Sequence, residues 1–152
     1  MSVLPPVVVR VAGVTELDAP TLYRILALRT DVFVVEQNCV YRELDGRDLE
    51  ASARQLWIER DGDVVATLRL LTDGTGAARI GRVATAAAAR GHGLAGALMV
   101  KALQLVDGND IVLDAQSYLS QWYAGFGFVR DGPDVLEDGI AHTPMRRAGP
   151  KP

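Results

Sequence analysis

The segment Arg90-Gly91-His92-Gly93-Leu94-Ala95-Gly96 constrains the fold of this chain more than any other feature. It follows a strand-like run at residues 78–84 and precedes an apolar helical pattern at residues 94–106. Glycine permits positive φ angles and lets a ligand approach the backbone closely. The first turn of a helix adds unpaired N–H groups and the positive end of the helix dipole. The sequence therefore predicts a strand-turn-helix unit that binds an anion, most naturally a phosphate group.

The N-terminal part of the chain predicts one strand and one helix. We expect the strand at residues 7–11, followed by a helix that Asp18 caps and that carries Pro20 in its first turn. Its narrow apolar face follows helical spacing and comprises Leu22, Ile25, Leu26 and Arg29. Residues 30–36 stay ambiguous, because they have strand propensity yet no turn residue separates them from the helix.

Turn signals then predict a run of antiparallel strands. Asp61-Gly62-Asp63 joins β-rich residues 56–60 to residues 64–71, and such an Asp/Gly link is a strong hairpin signal. A second turn, at residues 73–76, leads into the strand at residues 78–84. Beyond the glycine segment and its helix, the short apolar run at residues 111–113 is typical of a buried central strand.

The C-terminal part predicts a short helix and one more strand. Ser117 or Ser120 would cap the helix, and Gly127 would end it at the C′ position, with a hydrophobic contact from Phe128. The helix carries one apolar stripe, formed by Leu119, Trp122, Tyr123 and Phe126. The last strand would lie within residues 129–147. This order of elements predicts an α/β or α+β fold with a mixed sheet.

Length and composition narrow the class of protein. The 152 residues suit one domain that spans residues 1–152, and an apolar content of 49% excludes disorder. No apolar run approaches the ~20 residues of a membrane span, and no signal peptide is evident, so we expect a soluble cytoplasmic protein. A net charge of −3 argues against a nucleic-acid partner.

The single cysteine and the two histidines form no recognisable metal or redox motif. Cys39 has no partner for an internal disulfide, and His92 and His142 lie far apart in sequence, so no zinc pattern arises. We expect Cys39 to be a small core residue, and we expect no metal.

Gly91, Gly93 and Gly96 also match the dinucleotide-binding pattern G-x-G-x-x-G, and Asp114 follows 18 residues later as a candidate ribose ligand. In dinucleotide folds, however, the first glycine comes directly after the strand. Here residues 85–90 intervene, and only 56 residues follow Gly96. The sequence context therefore argues against this interpretation.

Read as Arg-x-x-Gly-x-Ala, residues 90–95 resemble the acyl-CoA loop of the GNAT superfamily of N-acetyltransferases. Ala95 stands where a second glycine is commonest, which the loop pattern allows. The resemblance extends to the ElaA-like subgroup through several segments: residues 32–39, 41–48, 79–84, 90–94, 115–119, 123–128 and 137–142.

The resemblance implies an α/β (α+β) fold of GNAT type, in which helices flank a mixed, mostly antiparallel central sheet. The strands at residues 78–84 and 111–115 would splay apart. Acetyl-CoA would be the co-substrate, with pantetheine in the gap and the pyrophosphate on the glycine segment. The implied CoA-binding residues are Val83, Ala84, Thr85, Arg90, Gly91, His92, Gly93, Leu94, Ala95, Gly96, Gln116, Tyr118 and Tyr123.

The resemblance also suggests residues for the chemistry. Tyr123 would protonate the departing thiolate, with Tyr118 as its competitor, and the N–H of Val83 would stabilise the oxyanion. Glu43 and Asp45 are candidate catalytic carboxylates. Candidates for contact with the acceptor are Glu36, Gln37, Glu43 and His142. The general base stays open between a carboxylate, His142 and water.

The predicted function is transfer of an acetyl group from acetyl-CoA to a primary amine, by direct attack in a ternary complex. The acceptor would be a small molecule or a protein, no nucleic acid or membrane would take part, and a homodimer is open. The alternative is a CoA-binding sensor or interaction module that kept the fold and lost turnover.

Overall fold

The computed structural model describes residues 6–150, which form one mixed sheet with helices on both faces. The strands are β1 (Arg10–Ala12), β2 (Arg54–Arg60), β3 (Asp63–Thr72), β4 (Ala78–Thr85), β5 (Ile111–Gln116), β6 (Val129–Arg130), β7 (Val135–Glu137) and β8 (Ile140–Arg147). The helices are α1 (Ala19–Thr30), α2 (Leu94–Leu105) and α3 (Ser120–Ala124).

The sheet has the order β1-β2-β3-β4-β5-β8-β6, and β7 pairs with β8. The pairing of β4 with β5 is parallel, and the other strand pairs are antiparallel. This topology confirms the predicted mixed, mostly antiparallel sheet. It also excludes the dinucleotide-binding fold, which requires a mostly parallel sheet.

The ends of α1 follow the local signals, but its buried face is shifted. The Asp18 side chain accepts a hydrogen bond from the Thr21 N–H, and Pro20 lies in the first turn, as predicted. The buried residues are Ile25, Leu28 and Arg29, so the predicted face was wrong in including Leu22 and Leu26, which are half-buried. The ambiguous residues continue the helix as a π-helical segment, Asp31–Glu36.

The hairpin between β2 and β3 forms as predicted. Its two central residues, Asp61 and Gly62, have φ angles of 53° and 83°, the positive values that tight hairpin turns need. The first strand begins later than expected, at Arg10, and residues 6–9 are not part of it. Three strands, rather than one, occupy the C-terminal segment.

The prediction that a serine caps α3 was wrong, because Leu119 occupies the N-cap and makes no capping hydrogen bond with its side chain. The predicted end of this helix is confirmed. Gly127 has a φ of 94°, its N–H bonds to the carbonyl of Ala124, and the Phe128 N–H bonds to that of Tyr123. This pair of bonds defines a Schellman motif with glycine at C′.

Two apolar clusters hold the layers together. On one face of the sheet, Leu98 and Met99 of α2 pack with Leu68 and Leu113. On the other face, α1 packs against Trp57 and its neighbours. Within residues 6–150, no helix has the length and apolar character needed to cross a bilayer.

The strands β4 and β5 separate after two residue pairs, Ala78 with Ile111 and Arg79 with Val112. Beyond Arg79, no strand within residues 6–150 pairs with β4 on that side, although β4 continues to Thr85. The splayed strand pair that the family resemblance implied is therefore present.

Candidate active site

A cavity of about 420 Å³ lies between the separated strands. The π-helical segment Asp31–Glu36, the loop after it, the 3₁₀ turn Ser117–Leu119, Tyr123 of α3 and the β7–β8 hairpin complete its wall. Ten residues predicted for the site line it: Glu36, Gln37, Val83, Ala84, Thr85, Arg90, Gln116, Tyr118, Tyr123 and His142. The structure thus brings together residues from both halves of the predicted site.

A β-bulge in β4 decides which backbone groups face the cavity. Gly81 pairs with Arg69 of β3, whereas Ala84 pairs with Thr67, so β4 carries one extra residue between these pairs. The backbone N–H and C=O groups of successive residues point to opposite edges of a strand. One extra residue therefore reverses which of the following residues point to which edge.

The hydrogen bonds on each side of the bulge agree with that reversal. Before it, Ala78 donates to the Asp110 carbonyl on the β5 side; after it, Ala86 donates to the Val65 carbonyl on β3. Because Ala86 points to β3, so does Ala84, two residues earlier. The backbone groups of Val83 and Thr85 therefore point away from β3, toward the cavity. These are the positions that the family resemblance assigned to pairing with pantetheine.

Residues 91–96, the glycine segment after Arg90, lie outside the cavity lining, at the N-terminus of α2. Gly91 and Gly93 have φ angles of 82° and 74°, and a Cβ at either position would meet nothing within 4 Å. The first backbone bond inside the helix runs from Ala97 to the Gly93 carbonyl, which leaves the preceding N–H groups without a partner within the helix. The predicted residues here are Gly91, His92, Gly93, Leu94, Ala95 and Gly96. An open turn with free N–H groups fits the pyrophosphate of CoA.

Arg90 connects this segment to the cavity. Its Nη2 donates to Glu36 Oε1 over 2.7 Å, and its Nε donates to the Thr85 carbonyl over 3.1 Å. The hydrogen bond from Arg90 lowers the pKa of the Glu36 carboxyl, which is therefore ionised at neutral pH. Glu36, which was predicted to contact the acceptor amine, thus pairs with Arg90, which was predicted to bind CoA.

Tyr123 and Tyr118 both line the cavity but differ in burial. Tyr123 is 7% exposed and packs edge-on against Trp122 and Phe128, whereas Tyr118 is 77% exposed. Burial, with the nearby Tyr118, raises the pKa of Tyr123 to about 12. Its hydroxyl has no hydrogen-bond partner among the described residues. Tyr123 is therefore a fixed, protonated phenol at neutral pH.

Glu43 and Asp45 do not line the cavity. Glu43 is buried and accepts hydrogen bonds from Arg29, Arg82 and the Tyr41 hydroxyl. Asp45 forms a two-pronged pair with Arg69. Partial burial would raise the pKa of Asp45, but the Arg69 contact outweighs it and lowers the pKa to about 2. The geometry gives no support to the expected catalytic role of these carboxylates, because their oxygens already accept hydrogen bonds from other side chains and do not face the cavity.

His142, Gln37 and Gln116 form the polar wall at the β5–β8 side. The Nδ1 of His142 lies 2.9 Å from the Ile140 carbonyl, so in the neutral ring Nδ1 donates and Nε2 is left as the acceptor. The amides of Gln37 and Gln116 pair reciprocally, at 3.2 and 3.4 Å. Cys39 is buried as expected, and it also lines the cavity.

Sequence reasoning missed three arginines of the lining, Arg69, Arg79 and Arg82. Each is a charged residue inside a β-rich run, and that signal could have indicated a polar site on the sheet. Among the residues described here, no three His, Cys, Asp or Glu side chains cluster in the way metal ligands do.

Comparisons with known proteins agree with this geometry. The family described as "Acetyltransferase (GNAT) domain" matches residues 27–148. A UPF0039 protein of Mycobacterium tuberculosis is 51% identical over 138 residues, 88% of each chain. The protein ElaA of Escherichia coli is 37% identical over 139 residues, 88% of this chain and 91% of ElaA.

Solved structures show the same relationship. An acyl-CoA N-acyltransferase from Pseudomonas aeruginosa superposes with a TM-score of 0.88 at 42% identity, covering 94% of this chain and all of that one. The crystal structure of Escherichia coli ElaA gives a TM-score of 0.87 at 34% identity and covers 93% of this chain and 99% of the other.

Proposed function

The chain belongs to the GNAT acetyltransferase family and is an N-acetyltransferase, and we propose that it transfers the acetyl group of acetyl-CoA to a primary amine by direct attack in a ternary complex. The observation that carries the proposal is the unpaired edge of β4, where Val83 and Thr85 face a cavity that also contains Tyr123. The thioester of acetyl-CoA, the acceptor amine and the hydroxyl of Tyr123 can all lie in this cavity.

Two features would hold the donor. The free N–H groups of the glycine segment suit the pyrophosphate, and Arg90 lies beside them as a counter-charge. The backbone of Val83 and Thr85 suits the amides of the pantetheine arm, which can pair with a strand edge as an added strand does. When bound there, acetyl-CoA supplies an activated thioester.

Two groups of this chain would then act at the thioester. The Val83 N–H stabilises the negative charge that develops on the carbonyl oxygen, as a preorganised donor does in an oxyanion hole. After the C–N bond has formed, the oxyanion collapses to the amide carbonyl, and the Tyr123 phenol gives its proton to the sulfur as the C–S bond breaks. Because the pKa of Tyr123 is about 12, its hydroxyl is protonated at neutral pH and can donate to the departing sulfur.

The acceptor amine must lose a proton, and His142 is the base we propose. Its Nε2 is free to accept because Nδ1 is held by the Ile140 carbonyl. Glu36 is a weaker candidate, since Arg90 lowers its pKa, and its charge would instead attract the ammonium form of the acceptor. Replacing His142 with Gln should lower kcat while acetyl-CoA still binds with an unchanged Kd.

The test is thiol release from acetyl-CoA over a panel of monoamines, polyamines, amino sugars and lysine peptides, with mass spectrometry of the products. An equal yield of free CoA and N-acetylated amine supports the proposal. If CoA raises the Tm but no amine is acetylated, the protein is a CoA-binding sensor. If CoA has no effect and NAD stabilises the protein, both interpretations fail.

A further inference from the structure

We propose that Arg82 is a positioning residue, which holds the bulge of β4 and thereby directs the Val83 N–H into the cavity. This inference rests on the proposed function, because it concerns how the oxyanion-stabilising group is kept in place. Arg82 itself need not touch either substrate.

Arg82 stands at the point where β4 departs from regular pairing. Arg82 and Val83 together oppose the single residue Leu68, and Arg82 has a φ of 52°. Positive φ is disfavoured for a residue with a Cβ, because the Cβ crowds the backbone. A strand that lost this conformation would regain a regular register and would turn the Val83 N–H toward β3.

The side chain of Arg82 is anchored by two acids of the loop that follows the π-helical segment. Its Nε donates to Glu43 Oε2 over 2.6 Å, and its Nη2 donates to the Glu43 carbonyl and to Asp45 Oδ2, both over 3.3 Å. The guanidinium carbon also lies 5.7 Å from the centre of the Tyr41 ring. Four contacts thus oppose the relaxation of a backbone conformation that is unfavourable by itself.

The anchor is rigid because its own support is buried. Glu43 is 4% exposed and also accepts from Arg29 Nη2 over 2.8 Å, and the Arg29 side chain is wholly buried. Arg29 in turn bonds to Asp48 over 2.7 Å. Breaking a buried ion pair leaves an uncompensated charge, so these contacts resist rearrangement. A continuous set of contacts therefore runs from α1, through Glu43, to the bulge.

This arrangement assigns Glu43 a role different from proton transfer. All of its described contacts are with donors: Arg29, Arg82 and the Tyr41 hydroxyl. A carboxylate with both oxygens occupied in this way fixes its partners. Glu43 acts on the reaction through Arg82 and the backbone of β4.

The test compares Arg82→Ala with Arg82→Gly, and uses Arg47→Ala as the matched control. Both variants at position 82 lose the anchor, but only glycine adopts positive φ without strain. We expect Arg82→Ala to lower kcat roughly 30-fold with the KM for acetyl-CoA changed less than about threefold, because the effect falls on the transition state. Arg82→Gly should retain roughly fivefold more activity than Arg82→Ala. Arg47 pairs with Glu50, away from the cavity and from the bulge, so its removal should change neither parameter.

A binding measurement separates this inference from the proposed function. Amide NMR shifts are recorded as a non-hydrolysable ketone analogue of acetyl-CoA is added. We expect shifts at Gly91, Gly93 and Val83 in the unaltered protein, and loss of only the Val83 shift in Arg82→Ala. No shift in the unaltered protein would contradict the proposed function. A Val83 shift that persists in Arg82→Ala, or an unchanged kcat in this variant, would overturn only the role of Arg82.

Discussion

The Arg90 guanidinium and the Glu36 carboxylate, 54 residues apart in sequence, meet over 2.7 Å at the mouth of the cavity. Arg90 borders the glycine segment, and Glu36 ends the helical segment that follows α1. Arg90 also bonds to the Thr85 carbonyl, on the strand edge assigned to pantetheine. Binding of an anionic donor near Arg90 would therefore compete with both contacts and would release the carboxylate of Glu36 for the acceptor.

Replacing Glu36 with Gln should affect the acceptor and spare the donor. Without the carboxylate, the ammonium form of the acceptor loses an attractive charge, and we expect its KM to rise about fivefold. The KM for acetyl-CoA should stay the same or fall, because Arg90 is freed. Initial rates with each substrate varied in turn measure both. Glu50→Gln, which breaks the half-buried ion pair between Arg47 and Glu50, is the control. A rise in the acetyl-CoA KM alone would contradict this assignment.

Replacing Tyr123 with Phe should lower kcat by about 100-fold, the usual contribution of a positioned general acid. The substitution removes one hydroxyl that has no described partner, so the Tm should change little. Tyr23→Phe, on the exposed side of α1, serves as the control. If Tyr118→Phe causes the loss and Tyr123→Phe does not, Tyr118 is the proton donor.

Replacing Gly93 with Ala should weaken donor binding beyond its effect on stability. The φ of 74° strains any residue with a Cβ, so the turn would shift and its N–H groups would move. We expect the Kd for CoA, measured by calorimetry, to rise about tenfold. Gly62→Ala introduces similar strain in the β2–β3 hairpin, at a φ of 83°, and should leave the Kd unchanged. Equal effects of the two variants would mean that strain alone is responsible.

Asp45 should stabilise the fold at neutral pH and lose that effect in acid. Its pKa in the folded protein is about 2, below the ordinary 3.8, so its contribution is present above pH 4 and fades as the pH falls toward 2. We expect Asp45→Asn to lower the free energy of unfolding by about 1 kcal/mol at pH 7, after allowance for solvent screening. Urea titrations at pH 7 and pH 2.5 measure the difference. Asp63→Asn, which removes an exposed carboxylate, is the control, and a deficit that persists undiminished at pH 2.5 would exclude this cause.

Local signals in the sequence were sufficient for most of the elements. The Asp61-Gly62 turn, the Asp18 cap and the C′ position of Gly127 depend on neighbours within a few residues, and all three are present in the structure. The serine cap of α3 failed because residues 117–119 form a separate 3₁₀ turn before the helix begins. The splayed strands could be anticipated only through the family resemblance.

The parts that could not be predicted depend on contacts distant in sequence. The helical spacing placed Arg29 on the apolar face of α1 but did not show how an arginine can be buried there. Its charge is neutralised by Glu43 and Asp48, which lie 14 and 19 residues further along the chain. For the bulge, the local sequence offers only Gly81, and this glycine does not indicate that its neighbour Arg82 adopts a positive φ. Both depend on ion pairs that form only after the sheet and loop have come together. The contacts of Glu43 were hidden for the same reason, so the family resemblance alone suggested a catalytic role for it.

Direct attack in a ternary complex is tested most directly by initial rates of CoA release over a matrix of acetyl-CoA and amine concentrations. Both substrates must occupy the cavity before the C–N bond forms, so double-reciprocal plots should give lines that intersect. Parallel lines would show that CoA leaves before the amine binds. That result would contradict the mechanism and would point to an acyl-enzyme, for which the buried thiol of Cys39 in the cavity wall would be the first residue to examine.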